Sequence, residues 1–189
     1  TNPFTATIPS PDEYLSIATS NDGNTFLMAT EGSDGKGQVL IKKYNGSTWT
    51  NIQTITLDDN TEHFGKHLAI SGDGNTIAIL HERNTSIVPH QRRIYKYNSS
   101  TNQYNHDSNI THTTSNNYKP KQTQLSYNGT VIALDTEFSS TSLQNANLAI
   151  HRYNGSSWTL EQTFNPSSFD NYNVTYFLTS FKLSNNGNA

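Results

Sequence analysis

Cysteine is absent from the 189 residues, which excludes a disulfide framework, an iron–sulfur cluster and any cysteine-ligated zinc. Charge is scarce as well. Asp, Glu, Lys and Arg together make up 14%, and 12 bases against 15 acids leave a net charge of −3. With no basic excess to neutralise phosphates, nucleic acid is not an expected partner. No apolar run approaches the roughly 20 residues that a membrane helix needs, so no membrane insertion is expected. A sustained hydrophobic period of 3.6 is also missing, so helices should be nearly absent.

What remains is polar without being charged. Hydrophobic residues account for 32% and mean hydropathy is −0.71, the balance being Asn, Ser, Thr and Gln. Disordered chains are usually polar because they are charged and poor in aromatics. This chain has 10 Tyr, 8 Phe and 2 Trp, and they recur in register, which implies an ordered β-protein.

The register is set by two repeated motifs. Ile41-Lys42-Lys43-Tyr44-Asn45-Gly46-Ser47, Ile94-Tyr95-Lys96-Tyr97-Asn98-Ser99-Ser100 and Ile150-His151-Arg152-Tyr153-Asn154-Gly155-Ser156 share I-x-[KR]-Y-N-[GS]-S, with tyrosines 53 and 56 residues apart. In phase with them, S-x-[DN]-G occurs at Ser20–Gly23, Ser71–Gly74, Ser126–Gly129 and Ser184–Gly187, the glycines 51, 55 and 58 residues apart. Asp-Gly and Asn-Gly suit type I′ hairpin turns, where both central residues need positive φ. Short alternating strands precede these turns and apolar runs such as Thr76–Leu80 follow them, the pattern of an exposed strand beside a buried one. Trp49-Thr50-Asn51-Ile52-Gln53-Thr54-Ile55 and Trp158-Thr159-Leu160-Glu161-Gln162-Thr163-Phe164 close the unit as W-x-x-x-Q-T-[IF], while the middle copy has Gln103-Tyr104 instead of Trp.

Four antiparallel strands in about 50 residues make one blade of a β-propeller. Tight turns and the absence of a short coil repeat favour this over an open solenoid. The expected division is an outer strand of a preceding blade at 1–12, blades at 13–63, 64–117 and 118–176, and the first strand of a following blade at 177–189. These ends cannot complete a blade between them, so the chain is expected to be a segment of a larger propeller.

The stretch Phe64-Gly65-Lys66-His67-Leu68-Ala69-Ile70-Ser71-Gly72-Asp73-Gly74-Asn75-Thr76-Ile77-Ala78 resembles the FG-GAP-type repeat, and the Tyr-Asn-Gly-Ser-x-Trp segments at Tyr44 and Tyr153 resemble its later portion. The other copies keep neither Phe-Gly nor the Gly-Ala-Pro element. The resemblance implies a propeller in an extracellular or surface-exposed protein that binds other molecules. In the integrin α-subunits, related propellers hold calcium in D-x-[DN]-x-D-G-x-x-D loops. Aligning Asp73-Gly74 with that pattern puts Ala69, Ser71 and Ile77 at ligand positions, and aligning Asp22-Gly23 puts Ala18 first and Phe26 last. Calcium needs six to eight oxygens, so no metal and no cofactor are expected.

Antiparallel succession places both tight turns of every blade on one face and the variable connections on the other. Those connections run over Glu31–Gly37, Glu82–His90 and Phe138–Asn145 within blades, and Asp58–His63, His112–Asn117 and Asn165–Tyr176 between them. Ligand sites concentrate in variable loops on a rigid scaffold. The candidate ligand-binding residues are therefore Asp34, Lys36, Glu62, His63, Glu82, Arg83, His90, Phe169, Asp170 and Tyr172, facing a protein or carbohydrate ligand. Asp58 and Asp59 share that face, and Phe169, Tyr172 and Tyr176 could stack on a sugar or pin their loop.

No HExxH, H-x-H, phosphate-binding G-x-x-x-x-G-K-[ST] or G-x-S-x-G elbow occurs, so no catalytic residue is assigned. Sequons stand at Asn45, Asn84, Asn98, Asn109, Asn128, Asn154 and Asn173, a number that the Asn, Ser and Thr content accounts for by chance. In a secreted protein they are potential glycan anchors. The resulting expectation is a non-enzymatic extracellular or cell-surface module for binding or adhesion, with possible self-association through open blade edges. One alternative is a structural subunit of an extracellular fibre or surface assembly. The other is a propeller hydrolase or lyase acting on polysaccharide.

Overall fold

The computed structural model describes residues 15–31, 36–57, 64–81, 90–111, 122–136, 147–164 and 181–187. They form three four-stranded antiparallel sheets, each in simple sequential order. The first contains β1 (Leu15–Thr19), β2 (Thr25–Glu31), β3 (Gly37–Tyr44) and β4 (Trp49–Thr56). The second contains β5 (Phe64–Ile70), β6 (Thr76–His81), β7 (Gln91–Asn98) and β8 (Gln103–Thr111). The third contains β9 (Thr123–Leu125), β10 (Val131–Thr136), β11 (Asn147–Tyr153) and β12 (Trp158–Phe164). Among the described residues there is no helix. The sheets stack face to face with inner strands together, β1 on β5 and β5 on β9, and the fold is that of β-propeller blades. Residues 1–12 lie outside the described residues. Residues 181–187 carry a turn beside β9, with no strand pairing.

One apolar core fills each seam. Leu27, Ala29, Val39 and Ile41 of blade 1 pack on Phe64, Leu68, Ile77, Ile79 and Tyr95 of blade 2. Ala69, Ala78, Ile94 and Ile110 of blade 2 pack on Leu125, Ile132 and Leu134 of blade 3. Strand β6 is buried at every position, because it lies between two strands and has a blade on each face.

The S-x-[DN]-G turns correct one expectation. Gly23, Gly74, Gly129 and Gly187 have φ of 69°, 72°, 65° and 69°, whereas the preceding Asp or Asn does not enter the left-handed region. The turns are therefore not type I′. Each glycine N–H returns to the serine carbonyl, as Gly74 N does to Ser71 O at 2.9 Å, which places glycine at the fourth position of a β-turn. The serine hydroxyl organises the loop. Ser71 Oγ donates to Asp73 Oδ1 at 2.6 Å and accepts from Asn75 N at 3.1 Å and Thr76 N at 2.9 Å. Ser20 and Ser126 bond in the same way to Asp22 and Thr25, and to Asn128 and Val131. The hydrogen bonds from Ser20 and Asn24 hold the exposed Asp22 carboxyl below its ordinary value.

These turns also join blades. Asn21 N donates to Gly72 O at 3.0 Å, Asp73 N to Tyr127 O at 2.8 Å and Tyr127 N to Asn185 O at 2.8 Å. Gly74, Gly129 and Gly187 sit on the preceding blade, so a Cβ at Gly129 would lie 2.3 Å from Thr76 Oγ1, and one at Gly187 2.5 Å from Val131 Cγ2.

The tyrosine motif couples the outer strands. Within blades its ring packs on the facing aromatic: Tyr44 on Trp49 at 5.5 Å, Tyr97 on Tyr104 at 5.2 Å and Tyr153 on Trp158 at 5.4 Å between centroids. The missing tryptophan is thus replaced in place by Tyr104. Between blades the preceding basic residue reaches the next ring. Lys43 Nζ lies 3.3 Å from the Tyr97 centroid and Lys96 Nζ 3.4 Å from that of Tyr153, contacts worth about 0.5–1 kcal/mol each at exposed sites. The motif glutamine adds a clamp, since Gln53 Nε2 donates to Tyr104 O at 3.0 Å and Tyr104 N donates to Gln53 Oε1 at 2.7 Å. A β-bulge recurs in the fourth strand of every blade, with Ile52, Asp107 and Glu161 as the extra residues opposite Ile41/Lys42, Ile94/Tyr95 and Ile150/His151.

Two measurements test this scheme. Gly23 shares the φ of Gly129 but has open space at its Cβ position. Gly23→Ala should cost only the left-handed strain, about 1–2 kcal/mol. Gly129→Ala should cost at least about 1 kcal/mol more from steric overlap, and equal urea midpoints for the two would disprove the packing role. The Tyr104 hydroxyl donates to Gly74 O, and burial pushes its pKa above the ordinary 10.0. Below that value both states keep the proton, and above it only the unfolded chain releases it, so stability falls as pH rises. Tyr104→Phe should lower stability at pH 7 and flatten its decline above pH 10, measured by urea melts across that range.

Candidate functional site

Buried polar side chains among the described residues divide by location. Ser20, Thr25, Ser71, Thr76 and Ser126 belong to the turn face and are accounted for by its hydrogen bonds. His81, Arg92, Thr123 and Asp135 lie at the opposite ends of their strands, toward the variable connections. Three of these four are ionisable, and burying such groups is costly unless they are partnered.

Counting along the repeat shows how unusual they are. Asp135 lies six residues beyond its turn glycine, where blades 1 and 2 have Ala29 and Leu80. Arg92 lies five before its motif tyrosine, where blades 1 and 3 have Val39 and Leu148. Thr123 lies three before its turn serine, where blades 1 and 2 have Ile17 and Leu68. Arg92 Nε donates to Thr123 Oγ1 at 2.7 Å across the seam between blades 2 and 3. This hydrogen-bonded pair occupies columns that the preceding seam fills with Val39 and Leu68, both in its apolar core.

The neighbouring seams carry the other ionisable groups. Asp135 Oδ1 accepts from Gln122 N at 2.7 Å, and Gln122 Oε1 accepts from Phe181 N at 3.3 Å, which places the carboxylate on the far side of blade 3. His81 packs edge-on against Phe64, with centroids 6.0 Å apart and planes at 87°, on the blade 1 side. Beside it β5 is irregular. The register passes from Phe64↔His81 to Leu68↔Ile79, inserting Gly65, Lys66 and His67 opposite Leu80. Gly65 takes φ of 91° there, and a Cβ on it would lie 2.7 Å from that of Ala29. Among the described residues, β1 keeps regular register at the equivalent positions. Bulges of this kind re-aim side chains and are frequent next to active sites.

Of the residues expected to bind ligand, Lys36 and His90 are described. Both are half-buried and adjoin the variable connections, just before β3 and β7. Asp34, Glu62, His63, Glu82, Arg83, Phe169, Asp170 and Tyr172 lie outside the described residues, as do the sequons Asn84 and Asn173. Asn45, Asn98, Asn128 and Asn154 accept turn hydrogen bonds through Oδ1, and Asn109 Oδ1 meets His106 Nε2 at 2.9 Å. His151, whose pKa burial pulls below the ordinary value, sits two residues from Tyr153 and away from this end.

Sequence reasoning missed Arg92, Thr123, Asp135 and His81. The signal that could have found three of them is the set of repeat columns in which a polar residue replaces an apolar one.

No protein-family model and no curated protein matches the sequence. Similar solved structures exist nonetheless. A candidate 6-phosphogluconolactonase of Bacteroides fragilis is 14% identical with a TM-score of 0.52, covering 79% of this chain and 38% of its own. The periplasmic gluconolactonase of Pseudomonas aeruginosa is 17% identical with a TM-score of 0.50, covering 78% and 38%. A candidate 6-phosphogluconolactonase of Bacteroides uniformis is 15% identical with a TM-score of 0.52, covering 84% and 44%. The chain thus spans less than half the length of these proteins, and identities this low speak to the fold alone.

They still correct the expectation of a non-enzymatic binding or adhesion module. Structures that share this blade geometry include proteins named as lactonases, so a repeat without a catalytic motif does not argue against an enzyme. The physical reason is that a propeller site is assembled from single residues of different blades and leaves no contiguous motif.

The paired replacement across the seam yields a test. Arg92→Val with Thr123→Leu, which restores the apolar columns, should fold with stability equal to or above the parent, since apolar replacement of a buried polar pair is often neutral or better. Either single substitution should cost about 2–4 kcal/mol by leaving its partner unsatisfied. A double variant as unstable as the summed singles in urea would assign the pair a purely structural role.

Proposed function

We propose that the chain is part of a β-propeller hydrolase acting on a carbohydrate-derived substrate, a polysaccharide or a sugar lactone, at the variable-loop end of its blades. The observation that carries this reading is the set of buried ionisable residues there, two of them replacing apolar residues of the repeat. Ionisable groups held in seams against their solvation cost are characteristic of reactive sites. Hydrolysis of an ester or lactone needs a base to take a proton from water. Asp135 is the candidate base, while Arg92, held by Thr123 in the seam on the other face of blade 3, adds positive charge to the same end of the blades. A carbohydrate partner on this face agrees with the half-buried polar residues Lys36 and His90. The uncharged polar surface and the FG-GAP-type likeness of the second copy support a location outside the cell or on its surface.

The native protein should hydrolyse gluconolactone or a member of a polysaccharide panel, with pH-stat or reducing-sugar detection. Asp135→Asn should lower kcat by about 100-fold or more while circular dichroism stays unchanged. Absence of turnover across the panel, or full activity of the folded Asp135→Asn variant, would remove the reading.

A further inference from the structure

Asn-Gly occurs four times in the chain, at Asn45-Gly46, Asn128-Gly129, Asn154-Gly155 and Asn186-Gly187. Asparagine followed by glycine is open to a reaction within the main chain, because glycine has no side chain to hinder its own nitrogen. The fold divides the four pairs into two classes. In the serine-centred turns, Gly129 N donates to Ser126 O and Gly187 N to Ser184 O, both at 3.0 Å. Both glycines are buried, and they pack against the preceding blade at Thr76 and Val131. In the tyrosine-motif turns, Gly46 and Gly155 are exposed, with open space around their Cβ positions. Their backbone nitrogens make no hydrogen bond among the described residues.

The carbonyl to be attacked is polarised at both exposed pairs. Asn45 Oδ1 accepts from Ser47 N and Ser47 Oγ at 3.0 Å and from Thr48 N at 2.9 Å. Asn154 Oδ1 accepts from Ser156 N at 3.0 Å and from Ser156 Oγ and Ser157 N at 2.9 Å. Donors so placed stabilise the negative charge that gathers on Oδ1 when Cγ becomes tetrahedral. Asn128 Oδ1 also accepts from Thr130 N and Thr130 Oγ1, so the carbonyl does not separate the classes. The nucleophile does.

We infer that Asn45 and Asn154 are sites of spontaneous deamidation through a succinimide, and that the same dipeptide is protected at Asn128 and Asn186. The glycine nitrogen loses its proton to water or hydroxide and bonds to asparagine Cγ. The Cγ–Nδ2 bond then breaks, and that nitrogen takes a proton from water and leaves as ammonia. A second water opens the ring at either carbonyl, giving aspartate or isoaspartate. At Gly129 and Gly187 the nitrogen would first have to give up its hydrogen bond and its packing. Each conversion adds one negative charge to the turn-bearing face. Isoaspartate also lengthens a turn closed by Asn45 N to Thr48 O or Asn154 N to Ser157 O, both at 3.1 Å. The change falls on outer hairpins and spares the turns that join blades. It is independent of the proposed hydrolysis, which uses the opposite face.

The test is incubation of the native protein in mildly alkaline buffer, followed by peptide mass spectrometry that separates aspartate from isoaspartate. Asn45 and Asn154 should convert at least about tenfold faster than Asn128 and Asn186, the factor that one buried hydrogen bond supplies. In denaturing urea the four rates should converge, because the turns no longer exist. Gly46→Ala should slow conversion of Asn45 severalfold and leave Asn154 unchanged, with continued protection of Asn128 showing that the variant is folded. Four equal rates in the native protein would overturn the inference. A native ranking that persists unchanged in urea would do the same, since local sequence and not the fold would then set it. Aspartate without isoaspartate, or an unchanged Asn45 rate in folded Gly46→Ala, would reject the succinimide route.

Discussion

The serine-centred turn is the constraint on which the stacking of these blades depends. A buried hydroxyl accepts from the first residue of the second strand and donates to the Asp or Asn two residues after it, as Ser71 does toward Thr76 and Asp73. That fixes the turn, and the fixed turn presents a backbone N–H to the turn of the next blade. The glycine that follows is required twice, once for its left-handed φ and once because the neighbouring blade leaves no room for a Cβ at Gly129 or Gly187. One short segment therefore closes a hairpin and sets the distance between blades.

Farther from the axis the same division of labour recurs with different chemistry. The lysine before the motif tyrosine lies over the ring of the next blade, and the glutamine of the outer strand pairs with the backbone of the next outer strand. Individually these contacts are weak. Their value lies in recurrence at fixed register, which lets each blade orient its neighbour. With one face committed to joining blades, the buried ionisable residues fall toward the other. The irregular β5, the seam pair Arg92–Thr123 and the buried Asp135 all lie toward that second face.

Much of the fold was legible in the linear chain. The position of each turn glycine, the buried second strand and the side of the molecule free to vary all follow from period and turn chemistry. The turn type did not follow, because Asp-Gly fits two geometries, and the serine hydroxyl chooses between them only once the hairpin forms. The role of Lys43 and Lys96 was hidden for a related reason. A basic residue beside a tyrosine looks like local decoration until a second blade brings another ring beneath it. The candidate site was less legible still. Lys36 and His90 were reached from loop geometry, whereas Arg92 and Asp135 lie inside strands, where a search of variable loops does not look.

The sequence by itself determined a propeller of four-stranded blades, since hydrophobic period, glycine placement and repeat length are local quantities. It also determined what the molecule lacks, because composition excludes cysteine chemistry and a basic nucleic-acid surface without any knowledge of the fold. Only the tertiary structure decided which polar residues are buried and what they face. Arg92 and Thr123 are 31 positions apart, and their hydrogen bond exists because two blades stack with that register. Burial and charge proximity are properties of the seams, and a seam has no counterpart in a linear chain.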